Sequence, residues 1–180
     1  MHGPAVLAWL LAAITTAAGA HCLHRLREPS CGRPRHQESD AAEALMGVGM
    51  AAMAVTGSAV PAVFWGWLFG LPALGFLIAA LAPARPALRA HRLHHAIGAL
   101  TMTYMSLAMA GPPGHAHHVA GAGLPVLTGG LLLYFGGYTL WAGSRLLATA
   151  PGVVRTGTSG LPQACRLTMG IGMFAMLLTL

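Results

Sequence analysis

Six apolar stretches, separated by short polar or Gly/Pro-rich segments, are the feature that most constrains this chain. A membrane-spanning helix needs about 20 mostly apolar residues, and each stretch is close to that length. Charged residues make up only 8% of the 180 residues, against about 25% in soluble domains, so the chain cannot cover a water-facing surface. We therefore predict an all-α integral membrane bundle of six transmembrane helices, forming a single domain over residues 1–180. The predicted spans are about 4–23, 41–58, 60–82, 93–110, 124–147 and 164–180.

The ten basic residues are all arginine, and their positions predict the orientation. Every one lies in or beside the first, third or fifth connection between spans. Because arginine-rich connections stay in the cytoplasm, both termini are expected outside, in a plasma-membrane protein. The net charge of +6 is then explained by topology, so we expect the lipid bilayer as partner and no nucleic acid. The competing interpretation of the first span is a cleaved signal peptide, but the segment lacks a basic start.

Nine of the ten methionines form three clusters, one on each even-numbered span. Within a cluster the spacing is three or four residues, which places the thioethers on one face of a helix. Thioethers are soft ligands suited to Cu(I), although methionine also fills irregular gaps in a core. The clusters are Met46, Met50 and Met53; Met102, Met105 and Met109; and Met169, Met173 and Met176.

Each methionine cluster is preceded, on the same predicted face, by another type of ligand. These residues are Glu43 on the second span, His91 and His95 on the fourth, and Cys165 on the sixth. An ionisable group at the edge of a span is costly and often functional. The alternative for Glu43 is a helix-start capping box with Asp40. Together with the methionines, these four residues form the predicted Cu(I) site.

The spans also show a weak threefold repeat, which predicts three helical hairpins. The repeat rests on the dipeptides Met46-Gly47, Ile97-Gly98 and Met169-Gly170. Gly66 and Gly70 have the spacing of a GxxxG motif, which favours close packing of membrane helices.

Further histidines and cysteines are weaker candidate ligands. The pairs His21/His24 and His91/His94 have an H-x-x-H spacing, which puts two imidazoles on one helical face; histidines at the level of the lipid headgroups are the alternative. An odd number of cysteines on the predicted cytoplasmic side argues against disulfides. Chance proximity is the alternative to a mixed site of Cys22 and Cys31 with nearby histidines. A histidine tract in the fourth connection comprises His115, His117 and His118.

Three features carry a family resemblance: the Arg/His stretch after the first span, the Asp40-x-x-Glu43-x-x-Met46 start of the second, and His94-His95 in the fourth. With these, the chain resembles an actinobacterial family of small multi-pass membrane proteins classed as a domain of unknown function. Many relatives in that family have His at the position of Glu43, so this chain departs from a ligand type there. The resemblance implies no activity.

A second, partial similarity is to Ctr-type copper transporters, which assemble three M-x-x-x-M helices in a trimer. This chain carries three such motifs, starting at Met46, Met105 and Met169. The similarity implies that one chain with three such helices imitates that trimer.

The sequence leaves three functions open. The first is binding or transport of copper(I) by the methionine clusters. The second is b-haem electron transfer, with His95 and another His or Met as axial ligands. The third is a non-enzymatic accessory subunit whose methionine faces pack against a second copy or a membrane-complex partner. The chain lacks G-x-S-x-G, P-loop and H-E-x-x-H motifs, which favours a protein that is not an enzyme.

Overall fold

The computed structural model describes residues 3–27, 34–56, 59–108, 124–148 and 160–180. Within these ranges the chain forms six α-helices and no β-strand, which confirms the prediction of an all-α protein with six helices. The helices are α1 Gly3–Arg27, α2 Pro34–Thr56, α3 Ala62–Leu81, α4 Pro86–Ala108, α5 Pro125–Ala148 and α6 Gly160–Leu177.

Two helices begin well before the apolar stretch that predicted them. α2 starts at Pro34 and α4 at Pro86, each seven residues ahead of its predicted span. Proline suits the first turn of a helix, because its missing N–H has no intrahelical acceptor there. Asp40 lies six residues inside α2, so the interpretation of Asp40 as a helix cap is wrong.

α3 is the helix with the clearest membrane character. Among the described residues it is the one helix long and apolar enough to cross a membrane, by length and composition, over 20 residues. Large apolar side chains are exposed along it, as expected for a surface that faces lipid. They are Val63, Phe64, Trp67, Leu71, Leu74, Leu77, Ile78 and Leu81.

The helices fall into two compact units. The first comprises Met1–Val55 and Gly130–Leu178, and holds α1, α2, α6 and most of α5. The second comprises Thr56–Gly129 with Thr179–Leu180, and holds α3, α4 and the first turn of α5. The prediction of one domain over the whole chain stays a prediction.

Glycines bring the helix backbones of the first unit close together. A Cβ on Gly47 of α2 would lie 2.9 Å from the carbonyl oxygen of Thr15 and 3.1 Å from the Cα of Gly19, both on α1. A Cβ on Gly170 of α6 would lie 2.7 Å from a methyl group of Thr139 on α5. In each case the glycine that follows a cluster methionine contacts the preceding helix, as expected if the two hairpins are repeats.

In the second unit, α3 and α4 form a hairpin, and two arginines of α4 donate hydrogen bonds to the end of α3. Arg89 Nε donates to the carbonyl oxygen of Ala80 at 3.1 Å, and Arg92 Nη1 donates to that of Ala79 at 2.9 Å. These carbonyls belong to the last turn of α3, where intrahelical donors run out. The GxxxG expectation is not met at Gly66, where a Cβ would find nothing within 4 Å.

Candidate functional site

Seven side chains from three helices of the first unit form what we call the thiol–carboxylate cluster. α1 contributes the residues of its last two turns, α2 those of its second and third turns, and α6 those of its second turn. The members are Cys22 and Arg25 from α1, Ser39, Asp40 and Glu43 from α2, and Cys165 and Arg166 from α6.

Glu43 is the centre of this cluster, and its side chain is only 2% exposed. Oε1 accepts hydrogen bonds from Arg166 Nε at 2.9 Å and from Ser39 Oγ at 3.0 Å. Oε2 accepts a hydrogen bond from the Cys22 thiol, at an Sγ–O distance of 3.6 Å. Arg166 Nη2 also donates to Ser39 Oγ at 3.1 Å. A buried carboxylate is stable only when it is paired and hydrogen-bonded in this way.

Asp40 makes a second ion pair one helical turn before Glu43. Its Oδ2 lies 3.5 Å from Arg25 Nη2, and the Asp40 side chain is 5% exposed. The spacing of Asp40 and Glu43 places both carboxylates on one face of α2. The cluster therefore holds two carboxylates and two guanidinium groups, and its formal charges cancel.

The two thiols are also buried and close to these groups. Cys22 and Cys165 are free cysteines, and they pack with Ala44 in one small core. Ligand atoms of Cys22, Asp40 and Glu43 all lie within 4.8 Å of one another. One thiol and two carboxylates at this separation are a recognisable set of metal ligands, and the Cys165 thiol packs beside that of Cys22.

The eight methionines of the predicted clusters that lie in the described residues are all buried. Met50 and Met173 in the first unit are 1% and 2% exposed, and Met102 and Met105 in the second are 0% and 1% exposed. The Met50 sulfur would lie 3.4 Å from a Cβ on Gly172, so this thioether of α2 packs directly against α6.

The second unit brings the predicted ligands His91 and His95 together on α4. Their Nε2 atoms are 3.2 Å apart, and the two rings meet edge to face. His95 is 2% exposed and its ring lies beside that of Phe76. The i, i+4 spacing accounts for the contact, because such residues are neighbours on one helical face.

The structure thus unites some predicted residues and adds others. Glu43 and Cys165 are predicted ligands that lie in the thiol–carboxylate cluster. The sequence does not predict its other members as one site: Arg25 and Arg166 indicate only topology, and Cys22 is a candidate ligand only with Cys31 and the neighbouring histidines. Met109, Cys31 and the tract His115, His117 and His118 lie outside the described residues.

These features define an all-helical protein with a buried, charge-balanced polar cluster in one unit and buried methionines in both. The chain belongs to the family described as a domain of unknown function (DUF5134), whose model matches residues 35–180. The match covers α2 to α6 but for the first residue of α2, so Cys22 and Arg25 on α1 come from outside it. Neither the curated proteins nor the solved structures give a significant match.

Proposed function

We propose that this protein is a multi-pass membrane protein that binds copper(I) through its methionine clusters, those of α2 and α6 in the first unit and, by itself, that of α4 in the second. The observation that carries the proposal is the burial of all eight described cluster methionines. Thioethers bind Cu(I) without first losing a proton. A set of them inside a helical bundle therefore offers soft ligands in a place where charged ligands are costly.

On α2 and α6 the described methionines are buried, whereas the other described large apolar side chains, apart from Leu177, are not. On α2, Val48 and Val55 are 47% and 57% exposed, whereas Met50 is 1% exposed. On α6, Ile171 is 51% exposed and Met173 only 2%. Plain hydrophobic packing does not require this preference for methionine at the buried positions of α2 and α6, whereas a thioether site does.

A second type of ligand precedes the methionines on each helix: Glu43 on α2, the pair His91/His95 on α4 and Cys165 on α6. Several weak thioether positions let an ion enter and still leave. A carboxylate, thiol or imidazole nearby would exchange the ion with carriers without forming part of the thioether site itself. The methionines of each unit would thus serve binding or passage of copper(I).

The proposed membrane location is supported by the apolar, exposed surface of α3 and by the arginine pattern, from which we predict both termini outside. The haem alternative gains little from His91 and His95, because ligands 3.2 Å apart on one helix leave no space for a porphyrin between them. The accessory-subunit alternative requires outward methionine faces, and the buried methionines do not favour it.

The test is copper analysis of the purified full-length protein in detergent with a reductant. The wild-type protein is expected to hold copper(I) in a stoichiometric amount, and Met50→Leu with Met173→Leu is expected to lose most of it, since leucine keeps the volume but removes the sulfur. Leu177→Ile, at a buried position beside Met176 in sequence, is the matched control and keeps its copper. A wild-type protein without copper affinity, or a double variant that binds as well as wild type, would refute the proposal.

A further inference from the structure

We infer that the thiol–carboxylate cluster is a separate binding site for a divalent metal ion of the Zn²⁺ type, with Cys22, Cys165, Glu43 and Asp40 as ligands. This inference does not depend on the copper proposal. It assigns a role to Cys22, which lies on α1, a helix without any of the clustered methionines.

The distance between the Cys22 thiol and a Glu43 carboxylate oxygen matches that between two zinc ligands. Zn²⁺ binds cysteine sulfur at about 2.3 Å and carboxylate oxygen at about 2.1 Å, and its structural sites are tetrahedral. Two such ligands then stand about 3.6 Å apart. The distance from Cys22 Sγ to Glu43 Oε2 is 3.6 Å, so an ion that replaces the thiol proton leaves both atoms where they are.

The two carboxylate oxygens of Glu43 have different partners, so that one can bind an ion while the other is held in place. Oε1 is held by Arg166 and Ser39, whereas Oε2 faces the Cys22 thiol. Ligating carboxylates in metal sites are oriented by such outer hydrogen bonds. Arg25 holds Asp40 in a similar way. The side chains that orient the ligands are therefore already in place.

The net formal charge of the cluster would not change if it bound a divalent ion. With both thiols protonated, the carboxylates of Asp40 and Glu43 balance the guanidinium groups of Arg25 and Arg166. A divalent ion adds two positive charges, and the release of the thiol protons of Cys22 and Cys165 removes two. The buried cluster therefore stays neutral. Neutral exchange matters because an uncompensated buried charge is strongly unfavourable.

The same ligand set argues for Zn²⁺ rather than Cu(I) at this position. Carboxylate oxygens suit borderline and hard cations, and Zn²⁺ accepts both thiolate and carboxylate. Cu(I) prefers sulfur alone, and a monovalent ion displacing two protons would leave the cluster with a net negative charge. The cluster and the methionines therefore suit different ions.

The experiment is a zinc titration of the purified, reduced and chelator-treated full-length protein in detergent. Competition with a chromophoric chelator gives affinity and stoichiometry, and a weakly buffered solution with a pH indicator gives proton release. We expect one zinc ion per chain and about two protons released per ion, since cysteine binds metal as thiolate. Failure to bind zinc, or binding without proton release, overturns the inference.

Variants then locate the site. Cys22→Ser and Cys165→Ser are each expected to weaken zinc binding by more than about 100-fold, the upper end of the effect of losing a supporting hydrogen bond. Cys31→Ser is the matched control thiol and must bind zinc as wild type does. Unchanged affinity in Cys22→Ser, or lost affinity in Cys31→Ser, overturns the assignment.

Two further measurements keep the test decisive if a variant does not fold. Co²⁺ added to the wild-type protein is expected to show thiolate charge-transfer absorption, and a spectrum without it contradicts cysteine ligation. Met50→Leu with Met173→Leu should lose copper and keep zinc, whereas Cys22→Ser should lose zinc and keep copper. The zinc site and the copper proposal thus fail independently.

Discussion

The two units of this protein bury the same kind of residue but assemble their polar groups in different ways. In the first unit, Glu43 of α2 meets Cys22 of α1 and Arg166 of α6, which lie 21 and 123 residues away along the chain. In the second, His91 and His95 are one turn apart on a single helix. The polar cluster of the first unit thus exists only through tertiary structure, whereas the histidine pair of the second is set by helical spacing. Removal of a polar group should therefore destabilise the first unit more.

The largest effect is expected from Arg166→Ala. It leaves the carboxylate of Glu43 buried without its cation. Because the Arg166 side chain is 33% exposed, we expect a loss at the lower end of the range, about 3–5 kcal/mol, that breaking a fully buried ion pair costs. Arg92→Ala in the second unit removes a hydrogen bond to a helix-end carbonyl, and we expect a loss of about 1 kcal/mol. The free energy of unfolding in mixed micelles of detergent and SDS measures both.

A double variant checks that the effect of Arg166→Ala comes from the stranded charge. Glu43→Gln combined with Arg166→Ala leaves no buried carboxylate there, so it should be less destabilised than Arg166→Ala alone. If the double variant is destabilised by the sum of the two single changes, the ion pair is not the source of the difference between the units.

An intermediate effect is expected from Gly47→Ala. The new Cβ would stand 2.9 Å from a backbone carbonyl oxygen of α1, so α1 and α2 must move apart, at a cost of about 1–3 kcal/mol. Gly66→Ala is the matched control in the second unit, because nothing lies within 4 Å of its Cβ. There the substitution should be neutral or stabilise the helix by up to about 1 kcal/mol. Equal unfolding midpoints for the two variants would contradict the close approach of α1 and α2.

The smallest effect is expected from Tyr104→Phe in the second unit. It removes a hydrogen bond of 2.7 Å between the phenol oxygen and Thr128 Oγ1, which contributes about 1 kcal/mol. Thr128→Val removes the same contact from the other side. Thermal unfolding of the single and double variants should therefore show strong coupling, and additive effects would mean that the contact contributes nothing.

Much of the fold was predictable because apolar length is a local property of the sequence. Six apolar stretches gave six helices, and the misplaced starts of α2 and α4 have a clear cause. The first turns of α2 contain Glu38, Ser39 and Asp40, which are helical but polar, so a search for apolar residues overlooks them. The inward direction of the methionines is consistent with their periodicity.

The thiol–carboxylate cluster was predictable only in part. Glu43 and Cys165 stood out because a carboxylate and a thiol are unusual within apolar helices. Their connection through Cys22, Ser39 and Arg166 depends on which helices adjoin, and periodicity within a single helix carries no information about that. A useful signal was present, however: the chain has ten arginines and only four acidic residues, so pairing of Glu43 with an arginine was a reasonable expectation.

The neighbouring positions of Cys165 and Arg166 have a consequence for α6 as a whole. Consecutive residues project about 100° apart around a helix, yet Cys165 packs against Cys22 and Ala44 while Arg166 pairs with Glu43. Two contacts in different directions fix the rotation of α6 about its own axis. Any turn of α6 would break at least one of them. The azimuth of Met169, Met173 and Met176 is therefore set from one end of the helix, by residues that are not methionines.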